Sequence, residues 1–301
     1  MFKTIVTGVD GREGGRDALR LAVELAGISA GEMIAVGAFP YFHRPTLAAS
    51  PAVQLQREKT QEMLDRELAE LGITASIDVV ADASPARALH LVSERVGADL
   101  IVVGSTRRGA MGRVLVGDDA LGTLHSSHVP VAVAPRGFAG SDDPPRSIGV
   151  GFDGGDESRQ ALRLAAQLAR AVDGELRLLS VVESPAAMAA EAGYSIDWIN
   201  ELHADREERL REVIDEIDVK ADGEAVVGTA VAELTELSKR VELLVVGSRA
   251  WGPVRRVLVG STAAGLMRHA ACPLIVLPRG AATGQPGEDR SAAGADPPFR
   301  T

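Results

Sequence analysis

Three observations in the sequence predict an α/β protein of two tandem, doubly wound, five-stranded parallel sheets. Short β-branched runs alternate with amphipathic stretches, the central runs are apolar on both faces, and the whole pattern returns 143 residues later. Strand alternating with helix is the signature of βαβ units. A run that is apolar on both faces suits a parallel strand covered by helices on each side. The offset is constant: Asp10 and Asp153, Gly31 and Gly174, Gly104 and Gly247, Gly117 and Gly260, and Pro130 and Pro273 all differ by 143. One Rossmann-like fold therefore occurs twice.

The elements follow in order. Residues 3–9 read as a first strand, and over 16–26 Ala18, Leu19, Ala22, Leu25 and Ala26 share one helical face. Ala161, Leu162, Ala165, Leu168 and Ala169 repeat that face. Residues 33–38 and 176–182 are second strands, 76–80 and 224–227 third, 100–103 and 243–246 fourth, 129–134 and 274–277 fifth. Only around the third strand does the register slip. Domain one spans 1–137 and domain two 147–280, each long enough to bury a core of its own. Residues 138–146 have linker composition, and the small, polar, Pro/Gly-rich 281–301 is expected to be a disordered tail. The two fifth strands would be apolar sheet edges if left open, so pairing them as an intramolecular pseudo-dimer is expected.

Composition narrows the function classes. Of 301 residues 46% are hydrophobic and 25% charged, the formal charge is -10, and the pI is near 5.2. That balance argues against nucleic acid as a partner. No apolar run reaches membrane-spanning length and no leader-like segment opens the chain, which points to a cytoplasmic protein with no membrane partner. The single cysteine, Cys272, sits in an apolar context and reads as a buried structural thiol. Six scattered histidines, the lack of a nucleophile elbow and the lack of a P-loop lysine leave metal and hydrolase chemistry without their residues. The expectation is a binding protein rather than an enzyme, with slow ATP hydrolysis left open.

The binding residues are sought at the strand ends, because ligands of such sheets sit outside the carboxyl ends where strand order reverses. After strand four, VVGSTRRGAMGRVLVG (102–117) returns as VVGSRAWGPVRRVLVG (245–260). A strand ending in glycine, a loop, and a second glycine opening a helix is the layout of an anion cradle. Each loop carries three arginines and no acid: Arg107, Arg108 and Arg113 in one, Arg249, Arg255 and Arg256 in the other. Solvated arginines on an ordinary strand–helix loop are the plainer alternative. At the end of strand one stand Asp10 and Asp153, which suit a polar contact to a base or sugar, or equally a helix cap or Asx turn.

With VDGREGGRDALRLA, LIVVG and VPVAVAPRG each in duplicate, nearly the whole chain except the tail resembles the universal stress protein family in its tandem form. The resemblance implies an adenine nucleotide alpha hydrolase-like fold and, for some members, ATP as ligand with or without Mg²⁺, in a stress-response regulator. The family's ATP-binding members carry G-x-x-G-x9-G-[ST] after strand four. Carried over, the positions implied are Asp10, Ala38, Gly104 and Gly117 in repeat one, and Asp153, Val181, Gly247, Gly260 and Ser261 in repeat two. Both copies depart from the motif. Arg107 replaces its second glycine in repeat one, with Gly109 two residues on, and Ala250 replaces it in repeat two beside Arg249 and Gly252. The final Ser/Thr is Asp118 in repeat one and Ser261 in repeat two. The alternative is a family scaffold that binds no nucleotide and recruits an unidentified protein partner; a homodimer is an open assembly state.

Two further expectations are specific. Segments 39–58 and 183–200, with Tyr41, Phe42, Tyr194 and Trp198, could fold over a ligand as lids or simply pack as loops. Repeat two should be the better nucleotide site, since a serine at a helix start welcomes phosphate where Asp118 repels it.

Overall fold

The chain is described here by a computed structural model covering residues 1–40, 50–108, 114–116, 120, 122–123, 127–141, 143–183, 196–248 and 260–278. In repeat one the apolar runs become β1 (Thr4–Gly8), β2 (Glu32–Phe39), β3 (Ser76–Ala81), β4 (Leu100–Gly104) and β7 (Val131–Ala134). Between β4 and β7 a short antiparallel ribbon, β5 (Thr106–Arg108) with β6 (Val114–Val116), stands apart from the main sheet. Repeat two supplies β8 (Ser147–Gly151), β9 (Glu175–Glu183), β10 (Ala221–Gly228), β11 (Leu243–Gly247) and β12 (Leu274–Leu277). The helices are α1 (Glu13–Ser29), α2 (Pro51–Leu71), α3 (Pro85–Val96), α4 (Asp156–Val172), α5 (Ile196–Asp215), α6 (Ala230–Leu237) and α7 (Ser261–His269).

Local chemistry marks several of these boundaries. Ser50 and Ser84 accept the backbone N–H of Val53 and Arg87 at 3.4 and 3.3 Å, and Pro51 and Pro85 fill the first helical turn, where a missing N–H costs nothing. Gly72 and Gly97 end α2 and α3 in the left-handed region, at φ 65° and 63°.

All ten long strands form one sheet in the order β10-β9-β8-β11-β12-β7-β4-β1-β2-β3. Every pairing in it is parallel except the central one. There β12 runs antiparallel to β7, with Leu274 opposite Val133, Ile275 opposite Ala132 and Val276 opposite Val131. The fifth strands do cover one another, as expected from their apolar edges. The result is a pseudo-two-fold pair of 3-2-1-4-5 sheets fused edge to edge.

The core differs from the expectation of one per domain. One buried cluster runs from Leu21, Leu25 and Ala132 of repeat one into Ala165, Leu168 and Ile275 of repeat two, beneath α1 and α4. A second, beneath the opposite helices, joins Val92, Ile101 and Val131 to Leu237, Leu266 and Val276. A third, smaller cluster lies under α2 around Phe39, Leu64 and Leu68. The apolar mass is thus divided by sheet face, because a continuous sheet offers each face as one surface. Another difference concerns the supposed lids: residues 51–58 and 196–200 are helical turns of α2 and α5, while 41–49 and 184–195 lie outside the described residues.

Candidate functional site

Each repeat has a cavity at the carboxyl ends of its strands, where β1 and β4 part toward opposite sides of the sheet. In repeat one the cavity is about 480 Å³ and is floored by Gly8, Val36, Val103 and Gly104 at the strand ends. In repeat two it is about 290 Å³, with Gly151, Leu179, Val246 and Gly247 in the same roles.

The sequence-derived residues divide into four groups. Asp10, Ala38 and Gly104 line the first cavity and Asp153, Val181 and Gly247 the second, so each trio is brought together as expected. Gly260 caps α7 and Ser261 opens it, next to Thr262, which lines the second cavity. Arg107 lies on β5, with its backbone opposite Leu115. Gly109, Gly117, Asp118, Arg249, Ala250 and Gly252 lie outside the described residues.

Glycine at the ends of β4 and β11 has a reason in packing. A Cβ on Gly104 would overlap the carbonyl of Gly14 in the first turn of α1, and one on Gly247 would stand 2.7 Å from the Cβ of Glu157 in the first turn of α4. The end of the fourth strand and the helix that follows the first strand touch closely, which sets that helix N-terminus at the cavity floor. The aspartates form Asx turns, one of the alternatives left open by the sequence: Asp10 accepts Arg12 N–H at 3.1 Å, and Asp153 accepts Gly155 N–H at 2.9 Å. These turns direct the carboxylates along the cavity rim and start the following helices. Arg206 of α5 also donates to the Asp153 carbonyl.

Several lining residues escaped the sequence reading. In repeat one α2 contributes Lys59, Thr60 and Met63, and the turn after β3 contributes Asp82. Asp82 is 3% exposed and is held by Arg87, whose Nε lies 2.7 Å from its Oδ2, and by Ser84 N–H at 2.7 Å. That carboxylate in turn keeps the Arg87 guanidinium protonated above its ordinary range. A readable signal existed here: D-x-S-P places an Asx turn, a cap and an N1 proline in series. Lys59 had none, since only docking of α2 on β2 and β3 brings it to the mouth.

The linings differ in charge. The described lining of the first cavity includes Arg12 and Lys59 with Asp10 and Asp82. That of the second includes Asp153, Glu157 and Glu183 and no lysine or arginine. Among the described residues no group of three or more His, Cys, Asp or Glu is gathered as metal ligands. Cys272 is buried, and burial pushes its thiol up to about 12, leaving it a packing group. No helix among the described residues is long and apolar enough to cross a membrane.

Comparison with known proteins agrees with this geometry. The model of the universal stress protein family matches residues 1–135 and 145–278. A universal stress protein of Mycobacterium tuberculosis is 29% identical over 301 aligned positions, covering 91% of this chain and 99% of its own. A universal stress protein of Archaeoglobus fulgidus superposes with a TM-score of 0.64 at 18% identity, covering 92% of this chain and 98% of that one. One from Pseudomonas aeruginosa gives 0.62 at 18% identity over 92% and 94%. The two structures support the fold.

Proposed function

The chain is a tandem member of the universal stress protein family, and from that premise we propose that it binds an adenine nucleotide and acts as a binding protein in a stress response rather than as a catalyst. The observation that carries this reading is the paired cavity at the β1–β4 and β8–β11 partings, each with an acid on its rim and a helix N-terminus at its floor. Val36 and Ala38 offer an apolar wall for a base, Asp10 an acceptor for a sugar hydroxyl or base N–H, and the first turn of α1 unpaired backbone donors for an anion. Mg²⁺ would accompany the phosphates of ATP.

We read repeat one as the better site from its described lining, in place of the expectation drawn from Ser261 and from Asp118, which lies outside the described residues. Its cavity lies within the usual range for small-molecule sites, roughly 300–1,000 Å³, whereas the second, at about 290 Å³, falls at the lower edge. Its described lining sets two cations against two carboxylates, whereas that of the other holds three carboxylates and no lysine or arginine. Reversing one exposed charge at the mouth is worth about 1 kcal/mol, or several-fold in affinity.

Calorimetric titration of ATP into the folded protein tests both levels, together with identification by mass of any nucleotide released when a separate sample is denatured. Lys59→Glu should weaken binding several-fold while Ser261→Asp leaves it nearly unchanged. The opposite result would restore repeat two as the principal site. An absence of both released nucleotide and binding heat would overturn the nucleotide reading in favour of a scaffold that recruits protein partners, a role the replaced motif glycines would suit.

A further inference from the structure

The segment that leaves β7 lies along one face of α1, where three side chains spaced like successive turns meet it. Asp17 accepts Gly137 N–H at 2.9 Å, Arg20 donates to Phe138 O at 3.3 Å, and Glu24 stands beside the N–H of Ser141. Gly140 completes the seat, since a Cβ there would stand 3.4 Å from Arg20 Cβ. The linker between the repeats is therefore docked for half its length before it enters β8.

The corresponding positions of repeat two have a different chemistry. Counting 143 forward, Gln160, Arg163 and Gln167 stand where α1 has Asp17, Arg20 and Glu24. The arginine is kept, and both acids are replaced by amides. Only the repeat-one seat can change charge.

Of its two acids, Glu24 is the sensitive one. It is half-buried, and its Oε2 is buried without a hydrogen-bond partner. The charged groups around it do not compensate. On α1 itself Asp17 and Arg20 are engaged with Gly137, Phe138 and each other. Arg136 pairs with Glu13, and in the linker Asp143 and Arg146 are exposed and make no ion pair among the described residues. On α4, which packs against α1, Arg163 and Arg170 are exposed. From the turn ahead of β11 comes Glu242, which accepts the N–H groups of Arg146 and Ser147 at 2.7 and 2.9 Å and repels a charge on Glu24.

We propose that this seat is a proton-sensitive latch: neutral Glu24 keeps the linker docked on α1, and the ionised carboxylate loosens it without altering either cavity. Burial, with a smaller contribution from Glu242, raises the Glu24 carboxyl from the ordinary range to about 7, against the pull of the Ser141 N–H. The sign follows from linkage. The folded state holds its proton more tightly than the unfolded chain does, so the stability this group contributes is fully present below about pH 4.5 and is lost as pH rises through about 7.

Hydrogen exchange of the full chain, followed by mass spectrometry on the 137–146 segment, reads the latch directly. Taking wild type against Glu24→Gln at each pH cancels the intrinsic pH dependence of exchange. The ratio of rates should be near one at pH 5.5 and rise to between about three- and tenfold at pH 8.5, with wild type the faster, as loss of a fraction of a full pKa shift would give. A ratio independent of pH, or a variant that exchanges faster at pH 8.5, would overturn the proposal. Glu242→Gln offers a second check that keeps the titrating group: the pH midpoint of linker exchange should move down, and an unmoved midpoint would count equally against the latch.

Discussion

At the scale of single residues, glycine in this chain has two meanings that only the structure separates. Gly104 ends β4 against the backbone of Gly14, so an added methyl must push a strand end off a helix. Gly27 lies inside α1 with nothing within 4 Å of where a Cβ would be. Gly104→Ala should therefore destabilise by about 3 kcal/mol through overpacking. Gly27→Ala should stabilise by about 0.5–1 kcal/mol through the entropy and propensity of the helix interior. Urea denaturation of the two variants checks the pair, and equal effects would contradict the packing argument. Both residues look alike in sequence, and the 143-residue repeat marked only the first as structural, since Gly104 recurs as Gly247 while Gly27 faces Arg170.

Among the elements, the most demanding is the pairing of β7 with β12. Val133 lies in a four-residue strand hydrogen-bonded on both sides, to β4 and to β12, and is 2% exposed. Proline there removes a ladder donor in the middle of a sheet, which should cost about 3 kcal/mol or more. Val133→Pro should also open two apolar edges, so size-exclusion chromatography should show association along with the lowered urea midpoint. This seam was legible in advance because residues 129–134 and 274–277 are apolar at every other position and between, leaving no polar side to face water. The places of Asp10 and Asp153 at the strand ends were legible too, and those of Ala38 and Val181 followed from the family resemblance. What stayed hidden depended on contacts between elements far apart in the chain. Lys59 enters the cavity only because α2 lies over β2 and β3, and the ribbon of β5 with β6 was concealed within a loop read for its glycines and arginines. The seat on α1 was hidden for the same reason, since a stretch with linker composition gives no sign that Asp17 and Glu24 will meet its backbone.

For the molecule as a whole, a core divided by sheet face changes what unfolding means. Leu25 and Leu168 belong to one buried cluster, and Ile101 and Val276 to another, so neither repeat can lose its packing without exposing the other's. Calorimetry should accordingly show one thermal transition for both repeats, with the calorimetric enthalpy equal to the van't Hoff value. Two resolved peaks would mean that the seam yields first. The joined sheet also has a consequence for how the protein varies. Two identical subunits meeting across a true two-fold axis would receive every substitution twice, once on each side, and both copies would have to tolerate it. Fusion into one polypeptide removes that obligation. Gly14 opposite Glu157 and Glu24 opposite Gln167 are alterations made on one side only, so one half can keep a ligand site while the other drifts toward a different employment.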